Sequence, residues 1–455
     1  MVNIADYKGK RVHFIGIGGC SMSGLAQIML KRGYVVTGSD KAESPFTRRL
    51  KELGVPVTIG HNAAHVHGAD IICYSAAIKP DNIERAEGVR LGIPELERSV
   101  LLGQLSQQYS KVVGIAGAHG KTTITSMLAL ICEDDALDAT VHVGGFVDWM
   151  HGGVRLGKSD TFITEACEYV ESFLTLRPTI ALVNNIDDDH LDYFRDLDHI
   201  TQAFEKFVAL LPEDGLFIGC VDDARVKKLM AASTRRTLSY GWKDADYTPD
   251  EITYDELGCP SFTMLKNGKP LGKIKLHVQG PHNVINAIAA VAVGLELGVP
   301  FDKCAEALAQ YTLTQRRFEY YGERGGVKYF HDYAHHPAEV RACMAAAEKF
   351  PHKELYVVFQ CNSYTRAKTL FLKNVTCFEL ADHVMVPDIY PGREVDTGIV
   401  HARDMVKAIN AHGEKAVYLP TFEQIREYID AHASSGDIVV TLGSGDVYIQ
   451  TRKLL

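Results

Sequence analysis

At 455 residues, with 46% hydrophobic and 23% charged side chains, the chain has ordinary globular composition but is too long for one core; about three domains are predicted. A net charge of −9 argues against a broad nucleic-acid surface, and ten cysteines without a C-x-x-C pair fit neither a zinc site nor a disulfide framework. No apolar run reaches membrane-spanning length and nothing near Asp6 and Lys8 looks like a signal peptide, so the expectation is a cytoplasmic protein without membrane or nucleic-acid partners. A monomer or weak dimer is the expected assembly.

Arg11 to Ile15 reads as a strand, Gly16-Ile17-Gly18-Gly19-Cys20-Ser21-Met22-Ser23-Gly24 as a turn, and Leu25 to Leu30 as a helix. A second strand, Tyr34 to Thr37, ends near Asp40. This is the start of a Rossmann-like unit, in which glycines let the backbone approach a diphosphate at a helix N-terminus. Asp40 lies about 24 positions after Gly16, close to the usual ribose-reading carboxylate. Ser21 stands where the third glycine of G-x-G-x-x-G belongs, so the same residues also suit a tight turn without a ligand. Val55 to Val57 and Ile71 to Tyr74 continue as strands, Ser75 follows the second, and the first domain is expected to span 1–109.

The next unit is built on Gly114-Ile115-Ala116-Gly117-Ala118-His119-Gly120-Lys121-Thr122-Thr123, between the strand Val112 to Ile115 and the helix Ile124 to Ile131. Backbone N–H groups of such a turn cradle nucleotide phosphates; Lys121 adds positive charge and Thr122 a hydroxyl for Mg²⁺. The spacing G-x-x-x-x-G-K-[ST] is broken by Ile115 at the first glycine position. Flanked by strand and helix, the turn still reads as an ATP site. Asp160 to Thr164 is a strand with Glu165 at its carboxyl end, the place of a magnesium-binding acid, and Glu168 and Glu171 follow. Ile180 to Val183 leads into Asn184-Asn185-Ile186-Asp187-Asp188-Asp189-His190, where His190 suits a divalent ion and each single aspartate reads better as a solvated turn.

The helix Asp198 to Leu211 carries Lys206, by default a surface charge. Leu216 to Cys220 and Arg236 to Tyr240 are strands, and Tyr247 to Lys275 is a polar β excursion. Gly280-Pro281-His282-Asn283-Val284-Ile285-Asn286 opens an apolar helix running to Leu297. Asn283 and Asn286 share one helix face and could bond an adenine edge, although one of them could simply cap the helix. This central domain is expected to span 110–312.

Gln315-Arg316-Arg317-Phe318-Glu319 opens a third unit, spanning 313–455. The strand Val327 to Phe330 is followed by His331-Asp332-Tyr333-Ala334-His335-His336-Pro337 and the helix Ala338 to Lys349. Pro337 suits the first helical position, which puts the histidines at a helix N-terminus and favours phosphate or ribose over a metal. Strands Leu355 to Phe359, His383 to Val386, Ala416 to Leu419 and Ile438 to Leu442 alternate with helices, and Gly443-Ser444-Gly445-Asp446 closes the last turn. The fold class is α/β, with three units in series.

These segments together, HFIGIGGCSMSGLA with GSD, GAHGKTT, TEACE, NNIDDDHLD, GPHNVINA, RRFE and DYAHHPAEV, resemble the Mur ligases of peptidoglycan synthesis, in the family's order and from near the N-terminus to the last turn. Within the family the chain looks most like the alanine-adding members. The resemblance implies three domains, a Rossmann-like domain for the UDP-sugar, a P-loop-type central ATPase domain and a closing Rossmann-like C-terminal domain, with UDP-N-acetylmuramate, L-alanine and ATP as substrates and Mg²⁺ or Mn²⁺ as the ion. It implies phosphorylation of the lactyl carboxylate by ATP, then attack of the alanine amine on the acyl phosphate. Carried over residue by residue, Gly117, His119, Gly120, Lys121, Thr122 and Thr123 hold the ATP phosphates, and Lys121, Glu165, His190 and Arg366 are catalytic. Thr122, Glu165 and His190 bind metal, and Asn283 and Asn286 lie at the adenine. Arg317, Asp332 and His335 reach the nucleotide from the third domain. Gly18, Gly19, Ser21, Met22, Ser23, Asp40, Ser75, Tyr333, Tyr364 and Arg366 contact the other substrates. Lys206 falls near a lysine carbamylated in sister ligases. Alanine-adding members commonly carry histidine where Asn362 stands in Gln360-Cys361-Asn362-Ser363-Tyr364-Thr365-Arg366, which leaves the amino acid open. Alternatives are a murein-peptide recycling ligase with the same chemistry, a nicotinamide-dependent oxidoreductase using the first glycine turn, and a binding module that has lost catalysis.

Overall fold

The computed structural model describes residues 2–133, 137–191, 193–255, 258–311, 318–392, 394–413 and 415–455. Among these residues the strands form three sheets. The first holds β1 (Arg11–Ile15), β2 (Val35–Asp40), β3 (Val57–Ile59), β4 (Ile71–Tyr74) and β5 (Glu95–Glu97), ordered β3-β2-β1-β4-β5 with every pair parallel. The chain reverses direction across the sheet at β1, so the glycine turn after β1 opens at the crevice where ligands bind in such sheets.

The central sheet contains β6 (Lys111–Ala116), β7 (Thr140–Val147), β8 (Gly152–Arg155), β9 (Thr161–Glu165), β10 (Ile180–Val183), β11 (Leu216–Cys220), β12 (Arg236–Tyr240), β13 (Tyr247–Tyr254), β14 (Pro260–Lys266) and β15 (Lys269–Lys275). Its order is β15-β14-β13-β12-β11-β10-β6-β9-β7-β8. From β12 to β7 the pairing is parallel; β13 to β15 and the β7–β8 hairpin are antiparallel additions. Here β6 is the switch strand, flanked by β10 and β9. Glu165, which ends β9, and His190, in the loop after β10, therefore belong to strands on opposite sides of β6.

The third sheet runs β16 (Glu319–Arg324), β17 (Val327–Asp332), β21 (Ile438–Leu442), β18 (Leu355–Phe359), β19 (His383–Val386) and β20 (Ala416–Tyr418), with β16 antiparallel to β17 and the rest parallel.

The inner parallel strands are buried on both faces, which is why they read as unbroken apolar runs: Leu355–Phe359 and Ile438–Leu442 are buried at every position. The helix Pro281–Glu296 is apolar all round for the same reason, lying against the helix Lys121–Ile131 in the largest core. Each fully buried Val, Leu or Ile there contributes about 1.5–3 kcal/mol relative to exposure. Pro281 starts this helix without losing a bond, since the first N–H has no intrahelical partner.

Small departures from the sequence reading have local causes. The phosphate-turn helix starts at Lys121 rather than Ile124, and the helix after the first turn at Cys20 rather than Leu25, because glycines precede both starts. The third strand is Val57–Ile59, since Pro56 stands before it and cannot donate to a ladder. The β7–β8 hairpin went unread, its strands being interrupted by Gly144-Gly145 and Gly152-Gly153. Gln315, Arg316, Arg317 and the boundary expected at Leu313 lie outside the described residues. Among the described residues no helix is long and apolar enough to cross a membrane.

Candidate active site

The turn between β6 and the helix Lys121–Ile131 is held from the next strand. Asn185 accepts from the N–H groups of Ala118 and His119 through its carbonyl (3.2 Å) and side chain (2.8 Å). Asn184 donates to the His119 carbonyl (3.0 Å) and accepts from the buried Tyr240 hydroxyl (2.7 Å). Gly120 has φ +84°, and a Cβ there would lie 2.5 Å from Asn184 and 2.7 Å from Asn286. No other residue fits this position.

Lys121 points inward. Its ammonium donates to the carbonyls of Gly117 and Ala118 and to both oxygens of Glu168, at 3.0 and 2.9 Å. Burial opposes the lysine's charge, but the Glu168 carboxylate outweighs it and holds the ammonium above its ordinary range. Glu168 was noticed in the sequence but given no role. Its position three residues after Glu165, past the end of a buried strand, was the available signal.

Glu165 lies across from Thr122, whose hydroxyl donates to it at 3.2 Å, and accepts from the Gly144 N–H at 2.5 Å. A Cβ on Gly144 would sit 2.6 Å from the Glu165 carboxylate, so the hairpin needs glycine there to leave the acid its room. His190 adopts φ +56°, packs tilted against the Tyr169 ring with centroids 4.7 Å apart, and places Nε2 3.9 Å from Glu168 and 3.7 Å from Asp189. Val170, Glu171 and Ser363 nearby are also left-handed, at φ +49°, +54° and +62°. Such conformations persist in non-glycine residues where surrounding structure enforces them, commonly at functional sites.

Two cavities flank this centre. The larger, about 410 Å³, is lined by Gly120, Thr123, Asn283, Asn286, Phe318 and Asp332 among others. Asn283 donates to the Gln279 carbonyl (2.7 Å) and accepts from Asn286 (3.2 Å), so the paired amides brace one another at its wall. Asp332 accepts from the N–H groups of Phe318 and Ala334, both at 2.7 Å. The smaller cavity, about 250 Å³, lies between His190 and Asp189 of the central unit and Asn362, Ser363 and Arg366 of the third.

The acidic run after β10, read as a solvated turn, is instead ion-paired, within the central unit at Asp187 and across to the third unit at Asp188 and Asp189. Asp187 receives His119 (3.2 Å), Asp188 receives Lys373, and Asp189 receives Arg366. Burial alone would favour neutral Asp189, but the charges of His190 and Arg366 outweigh it and hold the carboxyl well below its usual range. For His119, burial is outweighed by the hydrogen bond to Asp187 and the nearby Glu339 carboxylate, which push the imidazolium up to about 9.

Other expected residues fall less simply. His336, not His335, caps the helix Pro337–Lys349. His335 is absent from the larger cavity's lining; burial lowers its pKa, against the pull of Glu339, with Arg366 and Asp189 also acting on it. Tyr333 packs edge-on to His335 at 5.2 Å, and Tyr364 packs on the third unit's core rather than lining the smaller cavity. Asn362 bonds Ser444 Oγ at 2.5 Å, bracing the loop. Lys206 is half exposed and ion-paired to Glu171 at 2.7 Å, as a surface lysine would be.

In the first unit, the Gly18 N–H donates to Asp40 at 2.8 Å and Gly19 caps the helix Cys20–Lys31. Ser75 Oγ lies 3.9 Å from where a Gly16 Cβ would sit. Met22 and Ser23 are buried, and Ser23 Oγ donates to the Cys20 carbonyl. Ser21 Oγ is 3.5 Å from Arg98, a cation that no motif flagged. His142 joins this unit to the centre, bonding the Ser21 carbonyl (3.3 Å) and Thr164 (3.1 Å); burial depresses its pKa to about 4.

Compared with known proteins, the chain matches three descriptions in series: Mur ligase family, catalytic domain, over residues 11–110; Mur ligase middle domain over 115–294; and Mur ligase, glutamate ligase domain, over 316–445. It is 44% identical over 449 residues to a UDP-N-acetylmuramate–L-alanine ligase of Caldanaerobacter subterraneus, covering 98% of each chain. Among solved structures it superposes with TM-score 0.80 on the UDP-N-acetylmuramate–alanine ligase MurC of Thermotoga maritima, 26% identical with 98% of each chain covered. A murein peptide ligase of Psychrobacter arcticus, 24% identical with 98% of each chain covered, shares the fold with TM-score 0.72.

Proposed function

The chain belongs to the Mur ligase family, and we infer that it joins L-alanine to the lactyl carboxylate of UDP-N-acetylmuramate, driven by ATP, in peptidoglycan precursor synthesis. The observation that carries this is the near end-to-end match to an alanine ligase. We assign the working units as 1–109, 110–312 and 313–455, acting in the cytoplasm as a monomer or weak dimer.

Our reading of the site follows its geometry. A carboxylate is a poor electrophile; its oxygen attacks the γ-phosphorus, the bond to ADP breaks, and the acyl phosphate forms. The alanine amine then adds to the acyl carbon, and the carbon–oxygen bond to phosphate breaks. Little covalent work falls to the protein, whose part is positioning and charge neutralisation. Lys121 exchanges Glu168 for the phosphates. Asn283 and Asn286 meet the adenine, while Asp332 and Arg317 reach ribose and phosphate from the third unit. Gly18, Gly19, Ser21, Asp40 and Ser75 hold the UDP moiety, and Arg366 faces the lactyl carboxylate. Thr122 and Glu165 offer the oxygen donors that Mg²⁺ prefers, the space left by Gly144 gives the acid its room, and His190 would add one imidazole to the set. Bound there, the ion would neutralise phosphate charge.

The smaller cavity, about 250 Å³ beside Arg366, suits a single small amino acid better than the tripeptide of a recycling ligase. The test is phosphate release from ATP with UDP-N-acetylmuramate against a panel of amino acids and the tripeptide. L-Alanine should give the highest kcat/KM; preference for the tripeptide would overturn the substrate assignment, and turnover of a nicotinamide would overturn the reaction.

A further inference from the structure

His119, Asp187 and His336 converge where the third unit meets the phosphate turn, and the reaction above gives no role to Asp187 or His336. One ligand-type atom from each lies within 4.8 Å of the others. His119 Nε2 is 3.2 Å from Asp187 Oδ2, which is 3.8 Å from His336 Nδ1, and the two imidazoles face each other at 4.8 Å. His119 belongs to the turn after β6, Asp187 to the loop after β10, and His336 is the N-cap of the helix Pro337–Lys349.

We propose that these three side chains form a site for one divalent transition-metal ion of the zinc class, bridging the central and third units at the edge of the nucleotide cavity. Two imidazoles and one carboxylate are the donor set that zinc-class ions take with a position left open, whereas Mg²⁺ prefers oxygen donors. The surroundings fit as well. A metal-bound histidine usually directs its other ring nitrogen at a carboxylate, and both histidines here have one placed behind them. Glu339 lies 3.4 Å from His119 Nδ1, and Asp188 lies 3.7 Å from His336 Nε2. The His336 side chain is 2% exposed, and neither its Nε2 nor Asp188 Oδ1 has a hydrogen-bond partner among the described residues. A buried polar pair left this way costs stability unless something orders it. Occupation would exchange the long bond from the Ala338 N–H to His336 Nδ1, 3.3 Å, for a metal bond. Because His119 lines the larger cavity, an ion here would hold the cleft shut and oppose ATP.

The experiment uses the full chain without nucleotide and Co²⁺ as the spectroscopic probe, with Zn²⁺ as competitor and Mg²⁺ in excess. One saturable Co²⁺ per chain should appear, with visible absorption bands that Zn²⁺ removes and Mg²⁺ does not. His336→Asn keeps a good N-cap and should weaken binding at least about 10²-fold, the upper end of what loss of an outer partner costs. Asp187→Asn is the second variant should His336→Asn fail its melting control. Glu165→Gln should bind as the parent does. Absence of saturable binding, parent-like affinity in the ligand variants, or loss confined to Glu165→Gln would each overturn the site. Since no substrate is present, the result is independent of the reaction assigned above.

Discussion

Two turns in this protein share one design, a buried parallel strand, a glycine-rich turn and a helix, yet they are furnished differently. After β1 the Gly18 N–H is held by Asp40, and the nearest cation, Arg98, is a single long contact to Ser21. After β6 the N–H groups are held by Asn185, and the lysine is buried against Glu168 beside a second acid, Glu165. On the function proposed above, the first turn holds an anion, and the second holds one and changes its charge. Glycine spacing reports the shared backbone shape; the residues that separate binding from chemistry come from neighbouring strands.

The strongest way to break that contrast is to remove the lysine. Lys121→Ala should lower ligation by about 10³ or more, since charge stabilisation of phosphoryl transfer is lost, while UDP-sugar binding stays within a few-fold. It should also destabilise the fold by about 3–5 kcal/mol, because Glu168 would be a buried charge without its partner, and adding Glu168→Gln should restore much of that but no activity. Phosphate release, sugar-nucleotide titration and thermal melting separate these outcomes; near-normal turnover would sink the phosphate-turn assignment.

Next in size are Glu165→Gln and His190→Ala, each expected to lower turnover by about 10² and raise the Mg²⁺ requirement. An unchanged Mg²⁺ titration in both would make them structural residues. Arg98→Ala sharpens the other side of the contrast: KM for the UDP-sugar should rise about 10-fold, as expected for one charged hydrogen bond, with KM for ATP unmoved. Equal effects on both substrates would mean that the two turns do not divide the labour.

The smallest effect at neutral pH concerns the joint between them. His142 is buried neutral, with its pKa depressed to about 4 from an ordinary 6.5. The unfolded chain therefore takes up a proton first as pH falls, and stability declines between about 6.5 and 4 while being unaffected above. The decline from this residue should approach about 3 kcal/mol. His142→Gln, which can still donate to Ser21 and accept from Thr164, should flatten that part of the stability–pH curve; an unchanged slope would show that His142 does not set it.

Much of this was legible in the chain itself. Strands such as Arg11–Ile15, Ile71–Tyr74, Ile180–Val183 and Leu355–Phe359 were readable to the residue, because a short apolar run ended by turn residues is a local signal. The order of the glycine turns, of Glu165 and His190 behind their strands, and of the paired asparagines was local too. What the tertiary structure alone decided is which groups meet: Lys121 with Glu168, Glu165 with Gly144, His142 with Ser21, and the aspartates after β10 with His119, Lys373 and Arg366. Sequence spacing carries no information on such pairs. Sheet order brings the strand ends together, and burial then forces each charge to find an opposite one; the same rule turned an apparently solvated acidic loop into the seam between two domains.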